Sequence, residues 1–120
     1  MQKPGGDADS PLHIVDARFP HAYVLTLHGC TDNSTSDLLD GAFTDVAAAA
    51  GAGALVVDLG GLEFGDETLL GLLLNARKTR DVHLVGPLSP TFQRRLDTTD
   101  TTRVFTIHPT LTHALTALAP

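Results

Sequence analysis

Apolar and polar residues follow one another along this chain in blocks whose spacing predicts alternating strands and helices. Short apolar blocks, several of them β-branched, are typical of strands and occupy residues 12–17, 22–27, 55–57, 82–85 and 104–107. Apolar residues at helical spacing predict four helices, over residues 34–50, 66–80, 89–96 and 110–118. The predicted order is therefore β-β-α-β-α-β-α-β-α.

Strands that alternate with helices favour an α/β domain with a mostly parallel sheet. The first two strands follow each other without a helix, so we expect the first to run antiparallel at an edge. The helix over 66–80 is apolar on nearly all sides, which predicts that Leu70, Leu73 and Leu74 are buried between a sheet and other helices. These patterns predict a four- or five-stranded mixed sheet with helices packed mainly on one face.

Polar residues mark the predicted ends of these elements. Asp58 is expected to end the central strand, with Gly60 and Gly61 in the turn that follows. Ser34, Ser89 and Thr110 are expected helix N-caps, the first reinforced by Asp37 and the second followed by Pro90. The helix over 66–80 begins with Asp66 and Glu67 and ends with Arg77, Lys78 and Arg80, an arrangement that matches the helix macrodipole.

Composition narrows the class of protein. A chain of 120 residues is expected to form one domain over residues 11–120, preceded by a disordered tail at residues 1–10, which offer little to bury. The net charge of −6 argues against nucleic-acid binding. The single cysteine, Cys30, excludes an internal disulfide and fits a reducing cytosol. With neither an apolar leader nor a stretch long enough to span a membrane, we expect a cytoplasmic protein without membrane contact.

Candidate catalytic and metal-binding groups are sparse. The six histidines are scattered, and His28 and Cys30 lack a nearby third group that would complete a zinc site or a nucleophile–base arrangement. Gly60 and Gly61 do not precede the Lys-Ser/Thr pair of a phosphate-binding loop. We therefore expect no metal, no cofactor and no enzyme activity.

Residues 58–74, DLGGLEFGDETLLGLLL, carry a family resemblance. Their pattern of Asp-Leu, a turn, an apolar residue, Phe, one residue, Asp, two further residues and a helix rich in Gly and Leu resembles the signature of STAS domains, the fold of bacterial anti-sigma-factor antagonists. Residues 29–32, Gly-Cys-Thr-Asp, are similar to the Gly-x-apolar-Asp that follows the second strand in that family. The resemblance extends from about residue 11 to the end of the chain.

The resemblance implies a function in transcription regulation. Thr68 falls at the hydroxyl that is phosphorylated in the family, and Asp32 falls at an acidic residue near that phosphosite. It implies that the partner is an anti-sigma factor of the serine/threonine kinase type and that phosphate at Thr68 breaks the interface, which is partner switching. The partner-binding residues would then be Asp32, Asp66, Glu67, Thr68 and Leu69, and we expect the acidic ones to gather with Thr68 at one end of the sheet.

Other interpretations remain open. From the local sequence alone, Thr68 is an ordinary first-turn threonine and Asp32 a turn or cap residue. Glu67 and Leu69 stand where the family has a second small hydroxyl residue and a glycine, which favours a STAS scaffold that binds its partner constitutively, without phosphorylation. A third hypothesis is an α/β module that binds a small molecule at the carboxyl ends of its strands.

Overall fold

The computed structural model describes residues 12–31, 33–48 and 53–118, so the tail predicted at residues 1–10 lies outside the described residues. Five strands are present, with bounds β1 Leu12–Phe19, β2 Ala22–Cys30, β3 Ala54–Phe64, β4 Val82–Val85 and β5 Thr106–His108. Four α-helices lie between and after them, with bounds α1 Ser36–Ala48, α2 Glu67–Ala76, α3 Pro90–Thr98 and α4 Leu111–Leu118. The predicted order of elements is confirmed.

The strands form one mixed sheet in the order β1-β2-β3-β4-β5. β1 is an edge strand antiparallel to β2, and β2 through β5 are parallel to their neighbours, as predicted. Each parallel connection moves one strand further in the same direction. Because such crossovers are almost always right-handed, successive steps of this kind place their helices on one face of the sheet.

Alternation along the strands gives the sheet two apolar faces. In β3, Leu55 and Val57 face the larger core, and Val56 faces a smaller cluster. The larger core also holds the buried residues of α1, α2 and α3, namely Leu39, Phe43, Val46, Leu69, Leu70, Leu73, Phe92 and Leu96. The smaller cluster lies under α4, through Ala114. Three of the four helices therefore cover one face, which confirms the predicted one-sided packing.

Helix α2 is as deeply placed as its sequence predicts. Leu70 and Leu73 are buried, and Leu74 is half-buried against the same core. The helix ends at Ala76 instead of Arg80. Arg80 leaves the helix axis and donates hydrogen bonds to the carbonyl oxygens of Gly53 and Val46, which ties the end of α1 to the start of β3.

The predicted end of the central strand is wrong. β3 continues past Asp58 through Gly60 and Gly61 to Phe64, with a register shift against β2 between Thr26 and His28. The shift is a β-bulge, in which Asp58 Oδ1 accepts a hydrogen bond from the N–H of Gly60 at 3.0 Å. At Gly61 a Cβ atom would collide with the imidazole of His28. Gly61 therefore serves a close contact within the sheet, and both glycines lie in the strand and not in a turn.

Two other boundaries shift by a few residues. Ser34 lies inside a turn of 3-10 helix at Asn33–Thr35, and α1 begins after it. Leu38, in the first turn of α1, is 50% exposed, although it belongs to the apolar residues whose helical spacing predicts this helix. Another 3-10 turn, Thr102–Val104, delays the start of β5. Across the described part of the chain, none of the helices has the length and apolar character needed to cross a membrane.

Candidate functional site

The end of β2 and the start of α2 are joined by a short network of hydrogen bonds. Thr31 is completely buried, and its N–H donates to the carbonyl oxygen of Phe64 at 2.9 Å. Its hydroxyl donates to Asp66 Oδ1 at 2.8 Å and accepts from the backbone N–H of Asp66, also at 2.8 Å. The reciprocal pair fixes the loop after β2 against the turn before α2.

Asp66 is the N-cap of α2. Its Oδ1 atom accepts a hydrogen bond from the N–H of Leu69 at 3.2 Å, in addition to the one from Thr31. Its backbone carbonyl accepts the first helical hydrogen bond, from Leu70. A capping carboxylate satisfies an otherwise unpaired amide and lies at the positive end of the helix dipole. The carboxylate of Asp66 therefore holds the turn in place from inside.

Gly65 and Leu69 support the same turn from below. A Cβ atom at Gly65 would lie 2.5 Å from Cδ1 of Phe92, so the missing side chain lets α3 pack directly beneath the turn. Leu69 has no exposed surface and belongs to the larger core. Its side chain is therefore turned away from the surface that the neighbouring residues form, and it contributes to that surface only by holding the first turn of α2 in place.

Glu67 and Thr68 occupy the first two positions of α2, N1 and N2. Glu67 is 88% exposed, and its Oε1 lies 3.5 Å from Nη1 of Arg95 on α3. Thr68 is half-buried. Because successive helical residues are turned by about 100°, Glu67 leans toward α3 and Thr68 projects to a different side of the helix. First-turn amides and the helix dipole make this position favourable for an added anionic group.

The structure thus brings Asp66, Glu67 and Thr68 together at the carboxyl end of β3, with Leu69 beneath them, while Asp32 lies outside the described residues. Thr31 was not predicted as part of the site. Its only signal in the sequence is a hydroxyl residue at the end of β2, where the family resemblance calls for an apolar one.

The surface beside Thr68 is both apolar and acidic. Phe64, the last residue of β3, is 37% exposed, and Glu63 before it is also exposed. Because successive strand residues point to opposite faces, Phe64 and Glu63 project to opposite sides of the sheet, and the exposed Glu67 follows three residues after Phe64 on α2. Exposed aromatic rings are enriched in protein-binding surfaces.

Cavities lie elsewhere in the fold. One of about 300 Å³ lies between the carboxyl-terminal halves of α1 and α2, among Phe43, Leu55, Leu72 and Arg80. A second, of about 350 Å³, lies between α1 and the first two strands. Neither is at the carboxyl ends of the strands, where the small-molecule hypothesis places a pocket. Within the residues that the structure describes, no group of three or more His, Cys, Asp or Glu side chains has the geometry of a metal site.

Comparison with known proteins adds solved structures only, since no protein-family model and no curated protein matches the chain. An anti-sigma factor antagonist from Mycobacterium paratuberculosis is 26% identical, with a TM-score of 0.79 over 98% of each chain. The chain has the STAS fold. An anti-sigma-factor antagonist (STAS) domain protein from Planctomyces limnophilus superposes with a TM-score of 0.73 at 19% identity, covering 88% of this chain and 97% of that one.

The anti-sigma factor antagonist SpoIIAA in its unphosphorylated form gives a TM-score of 0.72 at 16% identity, over 88% of this chain and 95% of that one. These structures therefore confirm the resemblance to STAS domains over nearly the whole length of the chain. These neighbours are regulatory proteins by their descriptions.

Proposed function

We propose that this STAS-fold chain is an anti-sigma factor antagonist that acts in the cytoplasm by binding an anti-sigma factor of the serine/threonine kinase type. The observation that carries the proposal is the presentation of Thr68 at the second position of α2, beside a turn held by Thr31 and Asp66. Its support from comparison is the likeness, over 98% of both chains, to an anti-sigma factor antagonist.

The unphosphorylated surface is the one that binds. Phe64 supplies apolar contact area, and the exposed carboxylate of Glu67 favours a basic group on the partner. Binding would occupy the anti-sigma factor and free its sigma factor. Asp32, which follows Thr31 in the sequence, belongs to this surface in our proposal because of the family position that it occupies.

Phosphorylation of Thr68 would end the interaction. The anti-sigma kinase transfers the γ-phosphoryl group of ATP to the Thr68 hydroxyl oxygen, the hydroxyl proton leaves, and ADP is released. The phosphate brings a charge of about −1.5 to −2. Free amides in the first turn of α2 accommodate that charge in the isolated protein, but in a closed interface it would be desolvated beside Glu67, which disfavours the complex.

A constitutive scaffold is the second candidate, and the exposed carboxylate of Glu67 favours it. A fixed negative charge next to Thr68 opposes the addition of phosphate. The nearby guanidinium of Arg95 offsets part of that charge. Leu69 no longer supports the scaffold, because its side chain lies in the core and leaves the surface at Thr68 unobstructed.

A kinase assay separates the two candidates. The protein is incubated with ATP and with anti-sigma kinases encoded in the same genome, and the labelled residue is identified by mass spectrometry. Thr91 is a matched control, because it is exposed and occupies the second position of α3, just as Thr68 does in α2. We expect Thr68→Ala to abolish labelling and Thr91→Ala to leave it unchanged. Binding of the kinase without any labelling of Thr68 would favour the scaffold.

Asp32→Ala tests the extent of the binding surface. If Asp32 contacts the anti-sigma factor, the variant should bind it more weakly while its thermal stability stays close to that of the wild type. Calorimetry of binding and a melting curve on the same sample measure both quantities. A matched loss of stability would assign Asp32 a structural role instead.

A further inference from the structure

Three histidines and an aspartate form a continuous chain of polar contacts on the face of the sheet that α4 covers. His83 Nε2 lies 2.8 Å from Asp81 Oδ2, and His83 Nδ1 lies 3.0 Å from His108 Nε2. His108 Nδ1 lies 3.0 Å from Nδ1 of His113, in the first turns of α4. We call these four residues the histidine chain. It links the segment before β4, through β4 and β5, to α4.

The histidine chain is buried in its middle and exposed at both ends. His83 is 8% exposed and His108 is 5% exposed, while His113 is exposed to solvent. The rings of His83 and His108 are stacked, with centroids 5.2 Å apart, and those of His108 and His113 are tilted at the same separation. Asp81, at the other end, is 76% exposed as well, so His113 on α4 is the imidazole of the histidine chain that solvent reaches directly, and we call this the outer end.

The contacts limit how many protons the histidine chain can hold. A carboxylate only accepts hydrogen bonds, so His83 Nε2 must donate to Asp81. Each of the two N···N contacts needs one hydrogen, donated by one ring and accepted by the other. Three neutral imidazoles supply three ring hydrogens, which fill these three positions. One added proton fits at the outer Nε2 of His113 without disturbing any contact.

A second added proton has no such position. On an imidazole it must enter one of the two N···N contacts, where two N–H groups would then face each other across 3.0 Å and repel. The outer contact, between His108 and His113, joins β5 to the short helix α4, whereas the inner contact joins two strands of the sheet. It is therefore the contact that opens at lowest cost.

We propose that the histidine chain is a pH-sensitive latch, which holds the first turns of α4 on β4 and β5 with up to one added proton and releases them when a second proton binds. The other contact that holds α4 is a small apolar cluster. The apolar cluster beneath it contains only Ala114 from the helix as a fully buried residue, with Leu111, Leu115 and Leu118 partly buried. Release would uncover the apolar sheet residues Val56 and Val85.

Ionisable groups on neighbouring elements act on the histidine chain in opposite directions. The carboxylate of Asp81 before β4 contacts His83 and favours added protons, and Asp58, on the same face of β3 as Val56, is the register partner of Val85 on β4. Burial lowers the pKa of His108 from its ordinary value of 6.5, and the neighbouring His83 and His113 lower it further. Both causes disfavour the second proton while α4 is docked. The group is distinct from a metal centre, since no set of described side chains has metal-site geometry.

Hydrogen exchange of the α4 amides tests the latch. NMR follows the amide of Ala114, which donates to Thr110 O, in the full chain with EDTA present, at about pH 7.5 and about pH 5.5, on either side of the ordinary histidine pKa. After correction for the intrinsic effect of pH on exchange, we expect protection in α4 to fall about tenfold at the lower pH, the size of one lost buried hydrogen bond. Protection in β3 should change little.

Two variants make the test specific. His113→Ala removes the outer contact at an exposed site, so α4 should exchange faster already at the higher pH and lose most of its additional pH response. His13→Ala is the control, because His13 is an exposed histidine on β1 that does not belong to the histidine chain. This variant should behave like the wild type. An unchanged protection of α4 between the two pH values, or an equal pH response in His113→Ala, would overturn the proposal.

Discussion

Thr31 and Asp66 bind each other through two hydrogen bonds of 2.8 Å, although 35 positions separate them in the chain. The hydroxyl of Thr31 is donor in one bond and acceptor in the other; Thr31 is completely buried and Asp66 is partly buried. The pair connects the loop that follows β2 to the turn that carries Thr68. The geometry of the proposed partner-binding surface therefore depends on a contact that lies beneath it.

Thr31→Val should destabilise the protein by about 1–3 kcal/mol, because it keeps the shape of the side chain but leaves the N–H of Asp66 without its buried acceptor. Urea denaturation measures the change. Asp66→Asn is the matched variant at the other end of the pair. It should lose less stability than Asp66→Ala, since asparagine retains an N-cap oxygen. Equal stabilities for Asp66→Ala and the wild type would show that Asp66 serves only as a contact for a partner.

Leu73→Ala should destabilise by about 2–5 kcal/mol, as large-to-small changes in a packed core do. Leu73 has no exposed surface and lies in the larger core, on the buried side of α2. Leu38→Ala is the control, because Leu38 is half exposed. This substitution should lower the free energy of unfolding by no more than about 0.5 kcal/mol. Chemical denaturation of both variants measures the difference. A loss below about 1 kcal/mol for Leu73→Ala would contradict the central place of α2.

Stability should decrease as the pH falls below the ordinary histidine pKa. The pKa of His108 is lower in the folded protein than its ordinary value of 6.5, so below that pH the unfolded chain binds more protons than the folded one. The stabilisation from neutral His108 is thus complete above pH 6.5 and is lost as the pH falls through the folded pKa. Urea denaturation across this range measures it, and His108→Gln should show a shallower dependence. Identical pH profiles for both proteins would contradict the assignment to His108.

The sequence predicted the elements because their signals are local. Alternation in the strands, the Ser89 cap followed by Pro90, and the apolar stripe of α2 each depend on residues a few positions apart, and all appear in the structure. Gly60 and Gly61 were misread as a turn because a glycine pair is equally typical of a close backbone contact. The imidazole that needs this space, His28, lies on another strand.

The contacts that hold the site in place could not be predicted from local sequence patterns, because they join segments that are far apart in the chain. Thr31 and Asp66 come together only when β2 and β3 pair, and the residue types alone specify nothing about that contact. In the histidine chain, His83 and His108 are 25 positions apart and His108 and His113 are 5 apart, and neither distance is a helical spacing. Thr68, by contrast, was found through the spacing of residues 58–74, a continuous segment whose pattern resembles that of a family.

Thr68→Glu should weaken binding to the anti-sigma factor, because it adds a second carboxylate next to Glu67 in a contact from which water is excluded. Two unit charges about 6 Å apart repel by roughly 3 kcal/mol at an effective dielectric constant of about 20. Exposure of Glu67 and salt reduce this, so we expect the Kd to rise about tenfold, as measured by calorimetry. Thr68→Gln has a similar size without the charge and should bind much as Thr68→Ala does.

The double variant Glu67→Gln with Thr68→Glu identifies the cause. If repulsion from Glu67 is responsible, removal of that charge should restore part of the lost affinity, and the loss should also shrink at high salt. If instead the partner itself excludes negative charge at Thr68, the double variant should bind as weakly as Thr68→Glu alone. The constitutive scaffold would remain as the function of this surface under two conditions. Thr68→Glu would have to bind as tightly as the wild type, and no kinase would label Thr68.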